Sequence, residues 1–324
     1  MQVTSTHPTE TRADARLPPV ILLMGPTASG KTSLAIALAK ALNGEIISVD
    51  SALVFRGMDI GTAKPDLDER AGIPHHLIDI LDPAERYSTG QFQKDATAHI
   101  EDMHGRGLTP ILAGGTMLYF HGLLHGIAPL PPADPVFRAH LENEAENRGW
   151  GHLHAKLKAL DPVAADRIHP NDPQRIQRAL EIHHLTGRPM TAIIEDNPPP
   201  ARNFRMIPIL LTPSDRERLG KRIEDRFTGM IEKGLIEEVA ALRERGDLHP
   251  ELPSMRAVGY RQVWDHLEGR TSRGEMIERG VIATRQFAKR QQTWLKKESF
   301  AVNLSSEDPH LADTALQKIG PLLD

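Results

Sequence analysis

Two kinds of hydrophobic spacing alternate along the first part of the chain. Short apolar runs bounded by turn residues occupy residues 20–24 (Val-Ile-Leu-Leu-Met), 45–49, 77–81 and 109–113. A run of that length, apolar at successive positions, predicts a strand covered on both faces, as in a parallel sheet. Between the runs, apolar residues recur at three- and four-residue intervals, as at Leu34, Leu38, Ala41 and Leu42, which places them on one side of a helix. Ser88-Thr-Gly-Gln91 reads as a capping box opening a helix toward His104, and Gly114-Gly115 ends the fourth run. Strands alternating with helices predict a doubly wound α/β core with a parallel sheet.

Near residue 128 the pattern changes. Ala-Pro-Leu-Pro-Pro-Ala-Asp-Pro (128–135) reads as a linker, and three helical patterns follow with no strand until Phe204–Leu211. Asp134-Pro135 and Asp172-Pro173 each combine an N-cap with proline at the first helical position, and Gly187 supplies a stop. Asn-Pro-Pro-Pro at 197–200 forms a second stiff linker. Helices are then predicted over 214–245, 255–267 and 273–297, with an edge strand at Phe300–Leu304. The expected organisation is a disordered tail at 1–18, a core from 19–127 and 204–324, and an all-helical insertion at 128–203.

The turn between the first strand and first helix carries the strongest chemistry. Residues Gly25, Pro26, Thr27, Ala28, Ser29, Gly30, Lys31 and Thr32 form a complete G-x-x-x-x-G-K-[ST] loop in the strand-loop-helix setting it requires. Backbone N–H groups and the positive end of the helix face an anion, Lys31 adds a mobile charge, and the Thr32 hydroxyl suits Mg²⁺. The loop predicts phosphate or pyrophosphate binding and a P-loop NTPase-like core.

Composition narrows the setting. With 324 residues and 40% hydrophobic content there is enough for a substantial core. No apolar run reaches the length of a membrane span, so no membrane is expected as a partner. Cysteine is absent, which removes disulfides and thiolate metal sites and is compatible with the cytoplasm. The sixteen histidines show no H-E-x-x-H pattern. A net charge of −4 argues against indiscriminate nucleic-acid coating, yet Arg285, Lys289, Arg290, Lys296 and Lys297 lie in a segment without an acid. That stripe is either a solvated helix face or the footprint of one specific polyanion.

Further residues converge on the ligand edge of the predicted sheet. Asp50 ends the second run, where it could hold Mg²⁺ through water, accept a proton, or cap a helix. No acid follows the fourth run, so the usual NTPase arrangement is incomplete. Arg222 and Arg226, four apart on one helical face, could reach a pyrophosphate, or pair with Glu224 and Asp225. Gln174 and Arg178 share a face with Gln177 alongside, opposite Ile176, Ala179 and Leu180, either as a reading face or as ordinary exposed helix. From these residues alone, a transferase, a small-molecule P-loop kinase with a helical lid, and a nucleotide-regulated RNA-binding module all remain open.

Taken together, Gly25–Thr32, Ser48-Val-Asp-Ser51, Met58-Asp-Ile-Gly-Thr-Ala-Lys-Pro65, Ala113-Gly-Gly-Thr-Met-Leu-Tyr119, Asp172-Pro-Gln-Arg175, Val258-Gly-Tyr-Arg261 and Lys289-Arg-Gln-Gln-Thr-Trp294 resemble the bacterial tRNA dimethylallyltransferases. The resemblance spans Pro19 to Leu304. It implies transfer of a dimethylallyl group from dimethylallyl diphosphate to N6 of adenosine 37, in tRNAs reading codons that begin with U. It also implies Mg²⁺ dependence, with Thr32 at the metal, and a cytoplasmic monomer that grips the anticodon stem-loop. Lys31, Asp50 and Arg226 would be catalytic. Asp50, Ser51, Ala52, Leu53, Thr116, Arg138, Gln174, Arg175, Ile176, Gln177 and Arg178 would face tRNA. So would Arg256, Ala257, Val258, Gly259, Tyr260, Arg261, Lys289, Arg290, Gln291, Gln292, Thr293, Trp294, Leu295 and Lys296. Leu53 stands where many members carry glutamine, and the zinc-finger extension of eukaryotic relatives is missing.

Overall fold

The computed structural model describes residues 17–198 and 201–323. The tail expected at 1–18 lies almost wholly outside the described residues, as do two prolines of the second linker. By its internal contacts the chain divides into two compact units, one formed up to Leu124 and from Arg202, the other by His125–Ala201.

The first unit is built on six parallel strands in the order β3-β2-β4-β1-β5-β6. They are β1 (Pro19–Met24), β2 (Gly44–Val49), β3 (His75–His76), β4 (Thr109–Gly114), β5 (Arg205–Thr212) and β6 (Val302–Ser305). The continuous apolar runs are explained by two-sided covering. Along β1, Val20, Leu22 and Met24 enter one cluster with Phe92, Ile100 and Phe120, while Ile21 and Leu23 enter another with Leu34 and Leu38. Helices α1 (Lys31–Ala41), α2 (Thr89–Gly105) and α3 (Met117–His125) are the crossovers of this doubly wound sheet.

Behind the core, α9 (Arg216–Glu232), α10 (Leu235–Glu244), α11 (Tyr260–Leu267) and α12 (Arg273–Leu295) enclose a third cluster around Phe227, Met255, Tyr260 and Trp264. The single helix predicted over 214–245 breaks at Gly234, whose φ of 100° is left-handed. The strand predicted at 77–81 does not form: the strand here is β3, which ends at His76, and of 77–81 only Leu81 makes an isolated bridge, to Phe55. Leu77 and Asp79 take φ of 60° and 57°, which no extended strand tolerates. A terminal helix, α13 (Leu311–Ile319), packs Ala315 and Ile319 into the α1 side of the sheet; its spacing went unread.

The second unit contains α4 (Pro135–Arg148), α5 (Trp150–Leu160), α6 (Pro162–Arg167), α7 (Pro173–Thr186) and α8 (Met190–Asp196). Leu141, Leu153, Leu157, Ile176 and Leu180 form its own core. Asp134 and Asp172 cap α4 and α7 with proline at the first turn, and Gly187 ends α7 in left-handed conformation. Ser88 caps α2 by accepting from the Gln91 N–H, but the Gln91 side chain turns to Asp95, so the box is half-formed. Among the described residues no helix is long and apolar enough to cross a membrane.

Candidate active site

The phosphate loop, Asp50 and Thr116 follow β1, β2 and β4 at the carboxyl edge of the sheet, and residues of α9 and α12 complete the site. The loop after β1 leads into α1, whose first turn offers unpaired N–H groups and a positive dipole end. Ala28 is held at φ 63°, a left-handed conformation that costs an L-residue energy and that a preorganised anion cradle can exploit. Lys31 Nζ donates to the Pro26 carbonyl at 2.6 Å, folding back over its own loop. Burial, reinforced by the nearby Arg226 charge, pulls the Lys31 ammonium down to about 7 against the opposing attraction of Asp50.

Asp50 follows β2. Burial raises its carboxyl above the usual range, although the Ala52 and Leu53 N–H groups and the Lys31 and Arg226 charges work the other way. Its Oδ1 accepts from Ala52 N at 2.8 Å. Beside it, Ser51 N donates to Thr116 Oγ1 at 3.0 Å, and the Gly115 and Thr116 amides bond back to the Val49 carbonyl. Burial also pushes Arg226 below its ordinary value; its Nη2 reaches the Thr62 carbonyl at 3.4 Å.

Two cavities meet at these groups. One, of about 670 Å³, is lined by the phosphate loop, Thr32, Ser48, Gly114 and Gly115. The other, of about 370 Å³, joins an apolar wall of Ile223, Phe227, Met230, Val258 and Phe287 to polar and cationic residues, Ser51, Thr116, Thr284, Arg256 and Arg290. Thr27, Asp50, Thr62 and Arg226 line both. The phosphate-loop chamber therefore abuts one with an apolar wall and polar, cationic residues opposite, with a carboxylate and a guanidinium at the junction.

The loop Met58–Pro65 brings Thr62 to that junction, and its anchor explains two motifs. Glu238 on α10 accepts from the Asp59, Ile60 and Gly61 amides at 2.9, 2.7 and 3.2 Å and from the Tyr260 hydroxyl at 2.5 Å. A Cβ on Gly61 would lie 2.5 Å from the Tyr260 ring. Glycine in the first motif and tyrosine in Val258-Gly-Tyr-Arg261 thus fit one close contact.

Several residues expected to face tRNA are buried, or are half-buried and held in ion pairs within the fold. Tyr260 is fully buried for the reason just given, and Gly259 is buried beside Phe227 and Leu235. Leu295 packs under the sheet near Met24 and Phe120, and Gln291 is 3% exposed because it bonds two loops of the site. In the second unit Ile176 is core, and Gln177 is spent on the Arg138 carbonyl and Glu142. Arg138 and Arg178 both bind the fully buried Glu181, at 2.7 and 2.5 Å. Burial would raise the Glu181 carboxyl, but the two guanidinium groups and the Asp134 N–H hold it down to about 2. Arg222 turns away to Ser306 and Glu307, leaving Arg226 alone at the junction.

Others are placed where RNA could meet them. Ser51, Arg256, Arg261, Lys289, Arg290, Thr293 and Lys296 are exposed, and Ala52, Leu53, Thr116, Ala257, Val258, Gln292 and Trp294 half-buried, while Gln174 and Arg175 are exposed on α7. Sequence reasoning missed Thr62, Phe227, Met230, Thr284 and Phe287 as lining residues. Thr62 lies inside a quoted motif; Phe227, Met230, Thr284 and Phe287 carry only an amphipathic helical pattern, which does not distinguish core from cavity.

A P-loop-like parallel sheet with no acid after β4, whose phosphate chamber adjoins a cavity with an apolar wall, fits a transferase that takes a diphosphate-linked group. The family model described as IPP transferase matches residues 53–298, and that described as isopentenyl transferase matches 18–79; the chain belongs to this family. It is 57% identical over 305 residues to a tRNA dimethylallyltransferase of Methylococcus capsulatus, covering 94% of this chain and 98% of the relative. With that of Nitrosococcus oceani it shares 53% over 302 residues, covering 93% and 96%. Among solved structures, the tRNA isopentenylpyrophosphate transferase of Bacillus halodurans superimposes with a TM-score of 0.70 at 39% identity, covering 94% of this chain and 97% of the other. A eukaryotic dimethylallyltransferase acting on tRNA gives 0.78 at 30%, covering 93% and 78%.

Proposed function

We propose that the junction between the two cavities is where a dimethylallyl group passes from diphosphate to a tRNA base. The chain is a tRNA dimethylallyltransferase in function: it transfers the dimethylallyl group of dimethylallyl diphosphate to N6 of adenosine 37 and releases diphosphate. The observation that carries this reading is the position of Asp50 and Arg226 between the phosphate-loop chamber and a second cavity with the apolar wall Ile223, Phe227, Met230 and Phe287.

The loop amides, Lys31 and Arg226 stabilise the negative charge that grows on the leaving oxygen as its bond to the prenyl carbon breaks. The N6 amine becomes acidic only as the new C–N bond forms, so the Asp50 carboxylate accepts its proton late in that step. A carboxyl raised by burial toward working pH is better matched to this duty than an ordinary one. The apolar wall of Ile223, Phe227, Met230 and Phe287 excludes water from an electrophilic carbon.

A divalent ion fits the donor set. Thr32, at the start of α1, lines the phosphate chamber and offers a hard oxygen atom beside the anion cradle. Bound there, Mg²⁺ would neutralise diphosphate charge. The tRNA is read as its anticodon stem-loop, held by exposed α12 residues Lys289, Arg290, Thr293 and Lys296, by Arg256 and Arg261, and by Gln174 and Arg175 of the helical insertion. Extruding a loop base costs less than opening a duplex, which suits a base that must reach a recessed carboxylate. The enzyme works as a cytoplasmic monomer.

The test is incubation with labelled dimethylallyl diphosphate and unmodified tRNA, with labelled ATP as control. Label appearing on N6 of adenosine 37 is the expected result. Transfer from ATP to a small acceptor, with none to tRNA, would overturn the reading.

A further inference from the structure

Gln291 lies on α12 between exposed Arg290 and half-buried Gln292, yet its own side chain is 3% exposed. It leaves the helix inward and ends between two loops of the site. Its Oε1 accepts from the Thr27 N–H at 2.8 Å, and its Nε2 donates to the Gly115 carbonyl at 2.8 Å. Only a side chain with an acceptor and a donor on adjacent atoms meets both demands, which an amide does and an ionised carboxylate does not. Gly115 is glycine for the same contact, since a Cβ there would stand 2.4 Å from Gln291 Nε2.

Each loop so joined carries one part of the reaction. Thr27 belongs to the phosphate loop and lines both cavities. Gly115 precedes Thr116, which accepts from Ser51 N and so fixes the backbone next to Asp50. The same helix presents Lys289, Arg290 and Lys296 to solvent, while Arg290 and Phe287 also line the smaller cavity. A rigid helix thus has cations on its outer side and, one residue from Arg290, a clamp on both the phosphate loop and the loop that supports Asp50.

We propose that Gln291 is a positioning residue that couples occupation of α12 by tRNA to the shape of the diphosphate cradle. This rests on the reading of α12 as part of the tRNA surface. RNA bound to the outer cations restrains α12, and through Gln291 the Thr27 and Gly115 backbones lose motion that diphosphate binding would otherwise have to arrest. The coupling is reciprocal, so each ligand tightens the other by the same factor.

The experiment measures binding of inorganic pyrophosphate with Mg²⁺, alone and with a saturating unmodified anticodon stem-loop RNA, and of that RNA with and without pyrophosphate. In the unmutated protein we expect mutual tightening of about fivefold or more. Gln291→Met keeps the volume and removes both bonds; Gln291→Glu keeps the bond from Thr27 and opposes Gly115. Both variants should bind each ligand singly, with the mutual factor falling toward one and kcat falling more than KM for tRNA changes. Melting temperature identifies any variant that is merely unfolded, and Gln291→Glu then serves where Gln291→Met fails. A folded variant that retains the full factor, or an unmutated protein whose factor is one, overturns the proposal. Labelled adenosine 37 formed by an uncoupled wild-type protein would refute the coupling while the transferase reading stands; absence of RNA binding or product would refute the latter.

Discussion

Lys31 offers a test in which the perturbation is only pH. In the free site its ammonium is drawn down to about 7 by burial and by Arg226. A bound diphosphate replaces that environment with negative charge, so in the complex the lysine returns to its ordinary range near 10.5 or above. A group whose pKa rises on binding takes up protons, and affinity must then fall as pH rises through the interval between the two values. At pH 7 about half of the free sites are charged and at pH 9 about one in a hundred, so the affinity for dimethylallyl diphosphate, measured without tRNA, should drop by about 50-fold across that window. Contact of Lys31 with solvent through the open chamber works against the downward shift, which makes this figure a ceiling. Dimethylallyl diphosphate is the suitable probe, since a phosphate ester loses its last proton at about pH 6 and contributes little of its own above pH 7, whereas free pyrophosphate still titrates within the window. Calorimetry in buffers of different ionisation enthalpy should show uptake rising from about half a proton at pH 7 to about one near pH 8.5. Lys31→Ala should bind weakly and almost independently of pH, so that the two titrations converge at high pH. A wild-type affinity that stays flat from pH 7 to 9, with no proton uptake, would refute the placement of Lys31 against the diphosphate.

Asp50→Asn keeps the shape of the base and should slow single-turnover transfer by roughly 10² to 10⁴ while both substrates bind nearly as before; full rescue by added Mg²⁺ would assign Asp50 to the metal instead. Neutralising Lys289 and Arg290 together should weaken tRNA binding and flatten its salt dependence by no more than about two units of slope, with pyrophosphate binding retained, and an unchanged slope would return them to ordinary surface charge. Tyr260→Phe removes a bond to the Glu238 carboxylate and should cost about 1.5–3 kcal/mol in chemical denaturation with tRNA affinity unaltered; lost affinity at unchanged stability would restore Tyr260 to the RNA surface.

What was legible in the sequence follows from how local each signal is. The phosphate loop is eight consecutive residues whose function depends on their own backbone, and β1, β2 and β4 are runs buried on both faces, so spacing alone located them. The strand at 77–81 failed because Leu77 and Asp79 take left-handed angles imposed by the loop's attachment at Leu53, Val54 and Phe55, a nonlocal demand. The site divides in the same way. Lys31 and Asp50 follow directly from strand ends, whereas the partners of Arg222 and Arg226 diverge although the two share a helix. One turns to Glu307 near the last strand and the other to Thr62, a choice set by which loops flank each end of α9.

The residues that motif matching assigned to RNA and the fold assigned to the interior show what such motifs encode. Tyr260 holds Glu238, Glu238 holds the loop that brings Thr62 to the cavity junction, and Gln291 holds the phosphate loop against the support of Asp50. A side chain with two fixed hydrogen bonds in a close-packed interior is constrained in type at least as strongly as one that touches substrate, since leaving either partner unmet costs the full desolvation of that group. Sequence cannot separate the two kinds of constraint, because both specify residue identity at a position. Burial separates them at once: substrate contact needs an accessible atom, and Tyr260 and Gln291 are buried with their polar atoms bonded to Glu238 and to two loops of the site.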